Sequence, residues 1–177
     1  MNIEQLKFPI GKFQTPESVS PQDVSNWISI IENVPAQIEA AVEELSDDQL
    51  NTPYRSEGWT IRQVVHHLPD SHMNSYIRFK WTLTEDSPII KAYDERLWGE
   101  LEDGKNAPIE ISVQLLKSLH ARWVVMLKNL SEADLEKCFT HPENGNQISL
   151  KTMVALYAWH SQHHLAHITS LKERMGW

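Results

Sequence analysis

The segment WHSQHHLAHIT, residues 159–169, carries four histidines, His160, His163, His164 and His167. Imidazole titrates near neutrality and is a standard nitrogen ligand of catalytic metals, so four in so short a span point to a metal site. His160/His164 and His163/His167 both have i, i+4 spacing, which stacks two rings on one helix face and lets them share one ion. Three neutral imidazoles leave a divalent ion its full positive charge. With an open coordination position the ion is a Lewis acid that brings bound water to a pKa of about 7 and ionises a thiol more readily still.

Periodicity separates the two pairs. On the ideal step of about 100° per residue, Leu150, Met153, Tyr157, Ile168, Leu171 and Met175 share an arc of roughly 60°. His160 and His164 lie at its edge and within it, whereas His163 and His167 are turned away by roughly 80 to 120°. Only the first pair is expected to enter a core. A catalytic site wants a third protein ligand from another helix, and His66, His67 and His72 are the candidates. Phase does not choose among them: His66 lies opposite the apolar stripe of its helix, His72 lies within it, and His67 is roughly 110° from its centre. No Glu follows His160, so the metalloprotease signature is missing.

The elements that must position these residues read as helices. From Gln22 to Leu45, apolar residues recur at three- and four-residue steps, with a kink expected at Pro35. A second helix is predicted from about Thr60 to Thr84, with Thr60 and Gln63 as a capping box and a bend at Pro69, two residues after His67. A third runs from about Ser112 to Leu130, and a fourth from near Ser149 to about Met175, ended by Gly176. The stretch from Glu85 to about Ile109 is too long for a simple hairpin and reads as a crossover. FTHPENGNQISL contains an Asn-Gly pair, the mark of a tight turn or small hairpin. The first twenty residues, with Pro9, Gly11 and Pro16, read as an irregular surface arm. The expected fold is all-α: one domain over residues 1–177, a four-helix bundle with a long crossover connection and an irregular N-terminal arm.

Composition narrows the function. The 177 residues suffice for one domain with a real core. A net charge of -8 and no clustering of Lys and Arg argue against nucleic acid as partner. No apolar run approaches the roughly 18 residues of a membrane span. The single Cys138 and the lack of a leader pattern in MNIEQLKFPIGKF lead us to expect a cytoplasmic protein. Cys138 has no companion and is not expected to be a catalytic thiol.

The stretch WTIRQVVHHLPDSHMNSYIRFK, with YRSEGW before it and LYAWHSQHHLAHITSLKERMGW at the end, resembles the YfiT group of the DinB-like superfamily. The resemblance extends from FPIGKF to RMGW. That group consists of bundle proteins described as metal-dependent hydrolases, with bacillithiol S-transferases among them. The resemblance implies one divalent metal ion per chain held by His67, the second histidine of the HH pair, with His160 and His164. His72 stays the rival ligand. Zinc is the first expectation for the ion, with nickel or another divalent ion as alternatives, since imidazole accepts several. The resemblance also implies a homodimer, to which seven Trp in a small domain add support.

Two chemistries share this ligand set. In S-transfer, a small-molecule thiol, bacillithiol foremost, attacks an electrophile. In hydrolysis, water attacks a hydrolysable substrate and a nearby base is wanted. Asp70, three residues after His67, is a candidate for the base or for a carboxylate that orients a ligand. Asn74 and Arg78 follow about two and three turns on and could bind an anionic substrate. Trp59, Trp81, Trp123 and Trp159 are expected to pack in the core or an interface. A third reading is a non-catalytic stress protein in which the ion only staples helices and a fourth side chain, His72, closes the site.

Overall fold

Capping side chains fix where the helices begin. Ser20, Thr60 and Ser149 each take an extended backbone conformation and accept a backbone N–H three residues on, which starts α2 (Pro21–Val42), α4 (Ile61–Thr84) and α9 (Leu150–Met175). Asp23 and Gln63 complete capping boxes on the first two. At the far end of α9, Gly176 adopts a left-handed conformation with φ 71°, which closes the helix where the sequence predicts. The computed structural model describes residues 2–177.

Around these lie α1 (Ile3–Lys7), α3 (Asp47–Leu50), α5 (Glu95–Gly99), α6 (Glu102–Asn106), α7 (Ile109–Leu127), α8 (Glu132–Leu135) and the strands β1 (Cys138–Thr140) and β2 (Gln147–Ser149). The strands form an antiparallel hairpin with Phe139 opposite Ile148, turning at the Asn-Gly pair, where Gly145 has φ 69°. The four long helices make the bundle. α2 packs on α9 and α7, and α4 packs on the same two, so α2 stands diagonal to α4 and α7 to α9, while the consecutive α4 and α7 are neighbours. The long crossover joins these two neighbours, and α5 and α6 within it fold back onto α4.

Helices α2 and α4 each run on through Pro35 and Pro69 as single elements, as their apolar patterns predict, because a proline removes one hydrogen bond while the packed flanks hold the rest. Two expectations need correction. The third long helix begins at Ile109 and ends at Leu127, three residues earlier at each end than its apolar pattern suggests. The N-terminal arm is partly helical and is no bystander on the surface. Its first turn and the segment after it lie against α9: Phe8 packs on His163, and the Trp159 indole donates to the Gly11 carbonyl at 3.2 Å.

The core is divided along the bundle axis. One apolar cluster gathers Val34, Ile38, Val64, Leu68, Leu116 and Ile168; the other gathers Ile28, Phe79, Trp123, Phe139, Leu150 and Met153. Between them, on α4, α7 and α9, stand His72, His120, His160 and His164, with His67 beside Leu68. A buried imidazole without a partner costs roughly 1 to 3 kcal/mol, so a histidine layer inside a bundle must be wired together to be tolerated.

Candidate metal centre

The start of α4 is held from three sides. Arg62, itself buried, donates from Nε to Asn51 Oδ1 at 2.9 Å, from Nη1 to the Ala107 carbonyl at 3.1 Å and from Nη2 to Asp47 Oδ1 at 2.6 Å. Gln63 donates to the Gly99 carbonyl at 2.9 Å and ties down α5. One turn later the same rigid element presents His67. Trp59 leads into this helix and lays its indole beside His67 and His164, with ring centroids 4.6 and 6.5 Å away. Gly99 faces the indole so closely that a Cβ there would stand 3.2 Å from Trp59 Nε1 and press on the ring.

His67, His160 and His164 converge. One nitrogen from each ring can be chosen so that all three lie within 4.8 Å of one another. The Nε2 atoms of His67 and His160 are 3.3 Å apart. Two nitrogens each bound at 2.0–2.1 Å to a tetrahedral zinc are separated by about 3.4 Å, so the spacing fits a shared ion. The donor chemistry fits as well, since all three are neutral imidazoles. Burial holds His67 down to about 3, with His163 and His167 adding to the effect, and burial pushes His160 and His164 well below the usual range. Each therefore offers a lone pair at neutral pH. Beside them Ser71 Oγ lies 3.5 Å from His160 Nε2 and 3.3 Å from the Tyr157 hydroxyl.

Every remaining histidine of α4, α7 and α9 has a recognisable setting. His66 turns away from the cluster, donating from Nε2 to the Ala107 carbonyl at 3.0 Å and accepting from Ser112 Oγ at 2.7 Å. His72, fully buried, lies 3.1 Å from His160 Nδ1 through Nε2 and 2.7 Å from His120 Nε2 through Nδ1. With both nitrogens engaged it does not join the converging three. His120 Nδ1 in turn lies 2.6 Å from the Ile31 carbonyl. His167 Nδ1 is 3.4 Å from His164 Nδ1, its Nε2 is 3.1 Å from the Lys7 carbonyl, and Tyr54 stacks on its ring at 4.0 Å. His163 stacks on Trp159 at 4.5 Å.

The pair His163/His167 is thus buried too, against the expectation from helix phase. The arm and the Tyr54 loop roof over that face of α9 and make a second interior that an apolar stripe cannot reveal. His120 was missed altogether. Its position between Leu116, Trp123 and Leu127 on the inner face of α7 is the signal that would have found it. The other candidates stand apart from the three converging rings. Asp70 is partly buried, and burial with the nearby Asp103 raises its carboxyl to about 6. Asn74 donates to the Asp70 backbone carbonyl, and Arg78 to that of Lys91. Trp123 is fully buried as expected, but Trp81 is exposed. A groove of about 700 Å³ between α2, α7 and α8 is lined by none of these histidines.

Sequence and structure comparisons identify relatives of the whole chain. A profile of the DinB superfamily matches residues 30–168. The chain is 50% identical over its whole length to 99% of "Putative metal-dependent hydrolase YfiT" of Bacillus subtilis (strain 168). It is 51% identical, over 97% of its length, to 98% of a protein of like description from Oceanobacillus iheyensis. The solved structure of the Bacillus subtilis YfiT, described as "a probable metal-dependent hydrolase with an unusual four-helix bundle topology", superposes with a TM-score of 0.95. That superposition covers 98% of this chain and 99% of the other.

Proposed function

Because the chain belongs to the DinB superfamily, we propose that it is a metal-dependent enzyme whose His67, His160 and His164 hold one divalent ion, zinc first and nickel or another ion as alternatives. We further propose that its reaction is S-transfer: the sulfur of a small-molecule thiol, bacillithiol foremost, bonds to an electrophilic carbon, and the thiol proton leaves to solvent or with the displaced group. The observation that carries the reading is the convergence of three uncharged nitrogen donors from two helices at the spacing of a shared ion. When bound, such an ion supplies Lewis acidity that makes a thiol or water nucleophilic near neutral pH. A wholly neutral donor set favours an anionic fourth partner, and a soft sulfur anion suits it.

The chain's own residues set the surroundings. His67 and His164 are shielded by the Trp59 indole, which keeps water from one side of the donors. The Ser71 hydroxyl, held by Tyr157, is the hydrogen-bonding group placed to orient a polar atom of the substrate beside His160. Hydrolysis is the second reading, favoured by the names of the relatives. In it Asp70, with its carboxyl near 6, is the group that takes up a proton. Arg78 and Asn74 remain the candidates for holding an anionic substrate tail, after giving up their present backbone partners. We assign the protein to the cytoplasm and to a homodimer, for which the exposed Ile89, Leu97, Trp98 and Leu101 offer apolar surface. Among the described residues, no helix is long and apolar enough to cross a membrane.

The test is consumption of bacillithiol, glutathione or cysteine with a chlorobimane or an epoxide. Activity should vanish when the metal is stripped and return with zinc or nickel. Metal-dependent cleavage of an ester or amide panel without thiol consumption transfers the assignment to hydrolysis. Neither activity leaves a non-catalytic metal protein.

A further inference from the structure

We propose that His72 with His120, and separately His167, are positioning residues: two imidazole relays that fix the tautomers of His160 and His164 so that both ligands turn a bare Nε2 toward the ion. This inference rests on the three-histidine reading above. Each relay ends on a backbone carbonyl. A backbone carbonyl can only accept, so His120 Nδ1, 2.6 Å from the Ile31 carbonyl, carries a hydrogen. A neutral imidazole has one N–H. His120 Nε2 must then accept, and its donor at 2.7 Å is the N–H of His72 Nδ1. That leaves His72 Nε2 to accept, at 3.1 Å, from the N–H of His160 Nδ1. What remains on His160 is an unprotonated Nε2, facing His67 Nε2. The same logic runs from the Lys7 carbonyl: His167 donates to it from Nε2 at 3.1 Å and accepts on Nδ1, at 3.4 Å, from His164 Nδ1, which bares His164 Nε2.

The anchoring carbonyls are ones that helix hydrogen bonding leaves over. Ile31 would normally accept from the N–H of residue 35, but Pro35 has none, so α2 exposes this one carbonyl inside the bundle. Lys7 is the last residue of α1, where terminal carbonyls lack helical donors. The first relay therefore passes through all four long helices, from α9 through α4 and α7 to α2. Both relays end on neutral dipoles and not on carboxylates, so the ligands gain orientation without added negative charge, and the ion keeps its Lewis acidity.

The experiment uses the full chain, labelled with ¹⁵N in histidine and loaded with zinc, and reads each ring by long-range proton–nitrogen NMR at neutral pH. The relays require N–H on Nδ1 of His72 and His120 and on Nε2 of His167, with Nδ1–H on both ligands. An N–H on Nε2 of His72 or His120, or a doubly protonated relay ring, overturns the proposal. Zinc affinity is the second readout. His120→Leu and His167→Leu should each weaken binding by about 10- to 100-fold. His167→Gln, whose amide can still donate and accept, should recover part of that loss. Unchanged affinity in both folded Leu variants overturns the proposal, and if either variant fails to fold, the spectra of the unaltered chain decide. Zinc that stays bound in His160→Ala overturns the three-histidine reading instead, while the tautomers of the metal-free chain still judge the relays.

Discussion

The two proposed ligands on α9 are supported from opposite kinds of structure. His160 is backed by His72 and His120, which are 0% and 1% exposed, and its relay ends inside α2. His164 is backed by His167, whose relay ends on α1, a single turn with no buried residue among its five. The chemistry of the two is the same, ring donating to ring until a leftover carbonyl accepts, with two rings behind His160 and one behind His164. Their cost of opening differs. Freeing the first means parting the core, whereas freeing the second means lifting a short arm held by Phe8, by the Trp159 bond and by the Lys7 carbonyl. Identical hydrogen-bonding logic can thus give one rigid ligand and one adjustable ligand in a single site.

The largest effect should come from the ligands themselves. His160→Ala and His164→Ala should each abolish stoichiometric zinc, measured on dialysed protein by elemental analysis, while His163→Ala retains it. Equal loss from all three would erase the distinction between the two faces of α9.

Acid should come next. Burial holds His67 at about 3 and His120 at about 4, below the ordinary 6.5, and burial with His163 nearby holds His167 at about 4. The unfolded chain takes up protons on these groups below pH 6.5 and the folded chain only at their depressed values. Stability is therefore full above 6.5 and is lost as pH falls from 6.5 toward 4, by up to about 1.4 kcal/mol per pH unit for each fully buried ring. Denaturant midpoints that stay flat across that window would contradict this.

A smaller effect separates the relays directly. The ring N–H of His167 should exchange with solvent faster than that of His120, and Phe8→Ala should speed the first without touching the second. The smallest effect is expected from Pro35→Ala. The new N–H at residue 35 would share the Ile31 carbonyl with His120 and lower zinc affinity by less than His120→Leu does. Unchanged affinity in that variant would show that the proline is incidental to the relay.

How much of this the residues announce differs from element to element. Ser149 and Gly176 mark the ends of α9, and its apolar phase singles out His160 and His164 as the pair expected to face the bundle interior, because capping and periodicity are local. The same phase misplaces His163 and His167, since their burial comes from Phe8 and Tyr54, far away in the chain. The apolar patterns carry α2 and α4 through Pro35 and Pro69 as single helices, but they do not show that the first proline leaves behind the carbonyl that receives His120, a contact made only by packing. His67 could not be chosen over His66 and His72 from phase, because nearly every residue of the first two turns of α4 is buried, and a helix surrounded on all sides has no single inner face.

The proposed centre is one ion held by three Nε2 atoms. Crystals of zinc-loaded protein measured on either side of the zinc absorption edge give the position of that ion without assumption. The predicted result is a single anomalous peak about 2.0–2.1 Å from Nε2 of His67, His160 and His164, with no fourth protein side chain bound. A peak bonded to His72 or to an Nδ1 atom of these rings, or one enclosed by four side chains, would contradict it.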